Sequence, residues 1–252
     1  MQITRLLARE PAYPKTVELA SDVTHARQSM FALFSAANIR ATVLASVPWF
    51  LQDLGTYGIG IFTPTILAAS IGHKTDHVRN LADLISNDEL AAKGAALIDL
   101  LLIVGIVSAI ALVNRFGSIR LQIWGFVGCA TGLLIAAAST YSTGAAQTFL
   151  IFSGFMVFNF MTNLGPNAQT YLLAGEVFPT RVRGSGAGFA AAFAKIGAVT
   201  TAFMFPILLA DIGTRQLLFI LVAASLLGAL ITFLFRIDTT GVNLEEIGAP
   251  AR

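Results

Sequence analysis

The sequence predicts an all-α integral membrane protein with six transmembrane helices, and three observations carry that reading. Hydrophobic residues make up 56% of the 252-residue chain and charged residues only 12%. The mean hydropathy of +0.75 lies far above that of a soluble domain. Apolar runs long enough to cross a hydrocarbon layer recur along the chain, separated by short polar segments. The net charge of +2 is too small to suggest nucleic-acid binding, and the single cysteine, Cys129, permits no intramolecular disulfide. Residues 1–40 lack the apolar centre of a cleavable leader.

The first span covers 41–70, where Asp53 is the sole charge, and the second covers 94–113, interrupted by Asp99. After the loop NRFGSIR (114–120), no Asp, Glu, Lys or Arg occurs from 121 through 175. That run is too long for one helix, and STYSTG (139–144), rich in hydroxyls and glycine, divides it into a third and a fourth span. The fifth span, 184–210, contains Lys195, and the sixth covers 216–235. The expected layout is a cytoplasmic segment 1–40, a bundle 41–237 and a cytoplasmic tail 238–252. Orientation follows from the basic residues: with the N-terminus inside, eleven face the cytoplasm, against Lys74, Arg79, Lys93 and Arg215 outside. Both termini are expected in the cytoplasm.

A charge at the centre of a span costs about 2.5–3.5 kcal/mol on insertion scales, so it faces a cavity, a partner or a pathway. Trp49, Asp53 and Tyr57 are spaced four and four, which places them within an arc of about 80° on one helix face. An acid, an indole N–H and a phenol in one stripe suit an oxygen-rich ligand. The plainer alternative makes Trp49 and Tyr57 interfacial residues and gives Asp53 a partner on a neighbouring helix. In the fourth span, FNFMTNLGPNAQTY places Asn163 and Asn167 four apart around Pro166, which breaks the helix. Asn167 is the better ligand candidate; Asn163 reads as a helix-to-helix hydrogen bond. Gly184 and Gly188 form a GxxxG pair, expected to bring the fifth span close to a neighbour. Lys195 either snorkels to the interface or faces Asp53. Asp99 reads as an interfacial residue.

His73 and His77 are four apart but no third metal ligand is evident. An enzyme reading is poor: His25, His73 and His77 lie outside the spans, and no HExxH or GxSxG pattern occurs. No metal and no cofactor is implied.

The segment EVFPTRVRGSGAGFAAAFAKIGA (176–198) resembles the cytoplasmic loop and following helix of the sugar-porter branch of the major facilitator superfamily, and DTTGVNLEEI (238–247) is similar to that branch's closing motif. The W-x3-D-x3-Y stripe, the NLGPN turn and the AKIGA lysine resemble the phosphate:proton symporters more than the hexose carriers, whose paired glutamines are echoed here by Gln52 alone. The resemblance covers the chain from about residue 40 onward, as the C-terminal six-helix half of a twelve-span carrier. It implies a phosphate site of Trp49, Asp53, Tyr57 and Asn167, proton coupling through Asp53 and Lys195, and a cytoplasmic gate using Glu176, Arg181, Arg183 and Arg115. NRFGSIR departs from the family's gating motif at Asn114 and Ser118, which weakens the expected latch. A half-carrier implies an N-terminal half or a second copy as partner, besides lipid, a small polar solute and a proton, in the cell membrane. A sugar or organic-acid carrier, and a non-transporting partner subunit, are the alternatives.

Overall fold

The structure, a computed structural model, describes residues 30–72 and 81–237. The expectations for residues 1–29, for the segment holding His73 and His77, and for the 238–252 tail fall outside the described residues. A 3₁₀ turn at Met30–Phe34 leads into α1 (Ile39–Gly72), α2 (Leu81–Phe116) and α3 (Ser118–Ala138). A second 3₁₀ turn, Ser139–Tyr141, precedes α4 (Gly144–Leu164), α5 (Pro166–Glu176) and α6 (Arg183–Phe235).

Among the described residues, four helical stretches are long and apolar enough to cross a membrane: Ala91–Phe116, Ser118–Tyr141, Gly144–Glu176 and Arg183–Phe235. The last is two arms, because Gly213 adopts φ 79° and ψ 168° inside it, a conformation that only glycine reaches without strain. That break falls where the sequence separates the fifth span from the sixth. Helix α1 has 34 residues, enough for a tilted crossing, but Gln52, Asp53, Pro48 and Pro64 dilute its apolar character.

Two expectations need correction. The second span is expected to begin at 94, whereas α2 already begins at Leu81. LADLISNDELAAK holds strong helix formers (Leu, Ala, Glu, Lys) at eight of its positions, and Glu89 pairs with Lys93 one turn on at 2.6 Å. Reading for apolarity alone misses such a polar first half. The second concerns Gly184 and Gly188, where an added Cβ would meet nothing within 4 Å. Close approach is made instead by Gly186, where an added Cβ would lie 2.6 Å from the Phe178 ring, and Gly197, where it would lie 2.7 Å from the Phe50 carbonyl oxygen. The buried face of α6 runs through Gly186, Ala190, Ala194, Gly197 and Thr201, a helical period that leaves Gly184 and Gly188 on the other side.

The chain breaks as expected at the NLGPN turn. Helix α4 ends at Gly165, and Pro166 opens α5 at a position that needs no N–H. Helices α3 and α4 meet along glycines: a Cβ on Gly154 would lie 2.5 Å from the Ala136 nitrogen and 2.6 Å from the Gly132 oxygen. Gly154→Ala is therefore expected to cost about 1–3 kcal/mol by overpacking, read as a lower Tm of the detergent-solubilised chain; an unchanged Tm would show that α3 and α4 do not touch there.

Helix α1 packs chiefly on α6, α3 on α4 and α6, and α2 on α4. One apolar cluster gathers Leu67, Ile98, Leu133, Phe155, Phe205 and Leu218. Another gathers Leu33, Leu44, Trp49, Leu173, Phe178 and Ala190. The second cluster collects the start of α1, the 177–182 connection and, at its margin, Ile119 and Phe235. Those segments therefore share one end of the bundle. Arg40 fixes that end by donating to the carbonyl oxygens of Phe235 at 3.4 Å and Arg236 at 2.8 Å, satisfying acceptors left free where α6 stops.

Candidate functional site

Midway along α1, residues 49–57 lie against the first arm of α6, where Ala194, Gly197 and Ala198 keep the approach close. Lys195 reaches across from that arm. Its Nζ donates to Asp53 Oδ2 at 3.0 Å and to the Tyr57 hydroxyl at 3.1 Å, and stands 4.9 Å from the Tyr57 ring centre. Of the two readings of Lys195, the structure takes the one that faces Asp53. The pair is asymmetric: the Asp53 side chain is 3% exposed and that of Lys195 is 50% exposed. The carboxylate is thus held inside the bundle while the ammonium sits at its surface, beside a Tyr57 that is also exposed.

One residue before Asp53, and so about 100° round α1 from it, Gln52 opens a polar line across the bundle. Its Nε2 donates to Thr56 Oγ1 at 2.8 Å and to Asn167 Oδ1 at 3.1 Å. Thr56 and Thr162 share a hydroxyl hydrogen bond of 3.3 Å. Asn167 Nδ2 donates to Asn163 Oδ1, and Asn163 Nδ2 donates to the Leu102 carbonyl oxygen at 2.8 Å. The chain of bonds links α1, α5, α4 and α2, so Asn163 is the helix-to-helix tie the sequence suggested, and Asn167 stands between it and α1. Asn159 continues the α4 row by donating to Asp99 Oδ1 at 2.9 Å. Asp99, read from sequence as a bare interfacial residue, is therefore tied into the bundle.

Trp49 is buried, its ring edge-on to Tyr171 with centres 4.5 Å apart. Its Nε1 has no hydrogen-bond partner, and neither do the side-chain oxygens of Gln52 and Gln169. A buried polar group left unpaired costs about 1–3 kcal/mol, so this wall holds unused hydrogen-bonding capacity close to the charged pair. An open groove of about 390 Å³ runs beside it between α2 and α5, lined by Ile106, Ile110, Asn167, Gln169 and Tyr171 among others.

The structure brings together Asp53, Tyr57 and Lys195, and joins Asn167 to them through Gln52 on the same helix. Trp49 lies one turn earlier on α1 and points into the second apolar cluster. The expected gate residues sit at the Arg40 end. Glu176 closes α5, Arg183 opens α6 and donates to the Phe178 oxygen at 3.2 Å and to Thr180 Oγ1 at 3.3 Å, and Arg181 between them is exposed. Arg115 lies 5.4 Å from the Phe116 ring centre in a cleft it shares with Arg120 and Arg236. Sequence reasoning missed Thr56, Thr162 and Gln169. Thr56 was findable, being one turn from Gln52, but the contact with Thr162 belongs to the tertiary packing.

Membrane-length apolar helices around a buried acid and a half-exposed lysine define an integral membrane protein with a polar site at span depth. The family model described as "Sugar (and other) transporter" matches residues 5–250, and the chain belongs to that family of the major facilitator superfamily. It is 30% identical over 245 residues to inorganic phosphate transporter 1-6 of Oryza sativa subsp. japonica, covering 88% of this chain and 44% of that protein. It is 29% identical over 201 residues to the repressible high-affinity phosphate permease of Neurospora crassa, covering 79% and 33%. Its fold is similar to that of the proton:xylose symporter XylE solved with 6-bromo-6-deoxy-D-glucose, with a TM-score of 0.69 at 21% identity, over 89% of this chain and 44% of that one. The chain thus spans less than half the length of these proteins.

Proposed function

We propose that this chain is one half of a proton-coupled carrier of inorganic phosphate or a closely related small anion. The observation that carries the reading is the Lys195 ammonium bridging the buried Asp53 carboxylate and the exposed Tyr57 hydroxyl. With no substrate, the pair is charge-neutral and stable inside the bundle. An arriving anion competes with Asp53 for the ammonium and for the phenol. Asp53 then accepts a proton, because an ionised acid beside an anion in a dry site repels it, whereas a neutral carboxyl donates a hydrogen bond. Trp49 Nε1 and the Asn167 amide supply further donors, and the phosphate-transporting relatives support the choice of anion.

Half-exposed Lys195 and exposed Tyr57 form one wall of a cleft, so in this reading a second six-helix half covers them. That half is an N-terminal carrier half or a second copy of this chain. Residues 1–40 and 238–252 lie in the cytoplasm, the bundle 41–237 crosses the cell membrane, and Glu176, Arg181, Arg183 and Arg115 close the cytoplasmic end. No chemistry is performed on the solute.

The test is uptake of labelled phosphate into proteoliposomes under an inward proton gradient, with this chain alone and with an N-terminal half added. Gradient-dependent uptake in either format supports the reading. Its absence in both, with the chain shown folded by circular dichroism, points to a non-transporting subunit. The Gln52–Asn167 amide pair also suits a hydroxylated solute, and labelled phosphate uptake that is blocked by excess sugar would favour that second reading.

A further inference from the structure

Where α2 gives way to α3 and α6 stops, a cleft of about 540 Å³ opens among Arg115, Arg120 and Arg236, with Phe116, Ile119 and Ile123 on its apolar side. It is remote in sequence from the α1 stripe and shares only Arg115 with the proposed cytoplasmic gate. No salt bridge joins any of these three guanidinium groups to a carboxylate among the described residues. Arg115 rests on the Phe116 ring at 5.4 Å and Arg236 on the Phe233 ring at 5.0 Å. A fourth arginine, Arg40, is already committed to the last carbonyls of α6, which anchors the backbone of Arg236 beside the cleft. Helix α3 starts there after Gly117, a residue with no side chain to cap its first N–H groups, so the positive end of that helix adds to the field.

Three cations with no carboxylate partner among the described residues, and an uncapped helix start at the same cleft, call for an anion. Guanidinium forks match phosphoryl oxygens in pairs, which favours phosphate over chloride or a single carboxylate. Two sources carry that chemistry, a lipid headgroup and free phosphate. The apolar side of the cleft decides between them. Phe116, Ile119 and Ile123 face the same space, and half-exposed Trp124 packs on Phe116 with ring centres 5.2 Å apart. An indole at the end of a span, next to basic residues, is the setting of a headgroup region. We propose that the Arg115–Arg120–Arg236 cleft binds the phosphodiester headgroup of an anionic membrane lipid, with its glycerol and upper acyl carbons against Phe116 and Trp124.

Trp124 is one of two tryptophans in the chain, which gives a local readout in the full chain. Quenching that depends on Trp124, taken as the difference from a Trp124→Phe chain, is measured in nanodiscs holding brominated phosphatidylglycerol or brominated phosphatidylcholine. The expected result is a preference for the anionic lipid of about fivefold per arginine engaged, lost when all three are changed to glutamine. It is retained in large part when all three are changed to lysine, and millimolar inorganic phosphate does not relieve it. Equal quenching by the two lipids, or a preference that survives in the glutamine chain, overturns the proposal. Relief by inorganic phosphate overturns the lipid assignment and makes the cleft a soluble-anion site. Should the triple glutamine chain not fold, Arg120→Gln alone carries the same test: about a fivefold loss supports the site, and no loss overturns it.

Discussion

In the proposed proton-coupled carrier, Asp53→Asn is expected to reduce proton-driven uptake to background while leaving the chain folded and membrane-inserted. Asparagine keeps the shape of the side chain, and its amide oxygen still accepts from Lys195 Nζ, which stands 3.0 Å from the carboxylate in the native chain. What it loses is the capacity to bind and release a proton. The stability cost is small, about 0–1 kcal/mol, because the cation left without its carboxylate is half exposed and stays hydrated. Two assays separate coupling from binding. Net uptake under a proton gradient should vanish, whereas exchange of internal for external phosphate, which needs no net proton movement, should persist in part. Undiminished, pH-dependent net uptake in the variant would remove Asp53 from the coupling role.

Much of the fold was legible because a membrane leaves its signature in composition. The break at STYSTG and the Gly165–Pro166 interruption came from residues whose backbone preferences hold whatever surrounds them, and the gap left between 210 and 216 holds the break at Gly213. The start of α2 was not legible from hydropathy, since its first turns are helical by propensity and by the Glu89–Lys93 pair. The small-residue contact was placed on the wrong glycines of α6 because a GxxxG spacing says that two residues share a face without saying which face is buried. Gly186 and Gly197 are identified by what packs on them, Phe178 and α1, and neither neighbour is visible in the local pattern.

For the site, the four-residue spacing was enough to align Asp53 with Tyr57 but left Lys195 between two positions. Nothing in AKIGA reveals that α1 lies across from it. Asp99 was undervalued for the same reason, since its partner Asn159 is sixty residues away. Charges and amides within spans are visible in a sequence; the pairs they form depend on which helices touch.

The second large effect expected is that of Lys195→Ala, and it falls on stability as well as transport. Removing the cation leaves the Asp53 carboxylate, 3% exposed, without its counter-charge. Breaking a fully buried pair in this way costs about 3–5 kcal/mol. Lys195 is half exposed, so solvent already screens part of the attraction and the expected loss is about 2–3 kcal/mol. Tyr57 retains its hydroxyl but loses its partner, and the proposed anionic substrate loses its principal attractor, so its affinity should fall along with Tm. Restoring neutrality inside the bundle should recover the stability: in the Asp53→Asn, Lys195→Ala double variant, thermal unfolding is expected within about 1 kcal/mol of the native chain, since the buried charge is gone. Transport should stay absent in the double variant, as the proposed proton site is missing. The pair therefore predicts unequal single substitutions, mild for the acid and severe for the base, because the member left behind is hydrated in one case and buried in the other. If the two singles cost the same, the carboxylate is reached by water, and burial is not what holds Lys195 to Asp53.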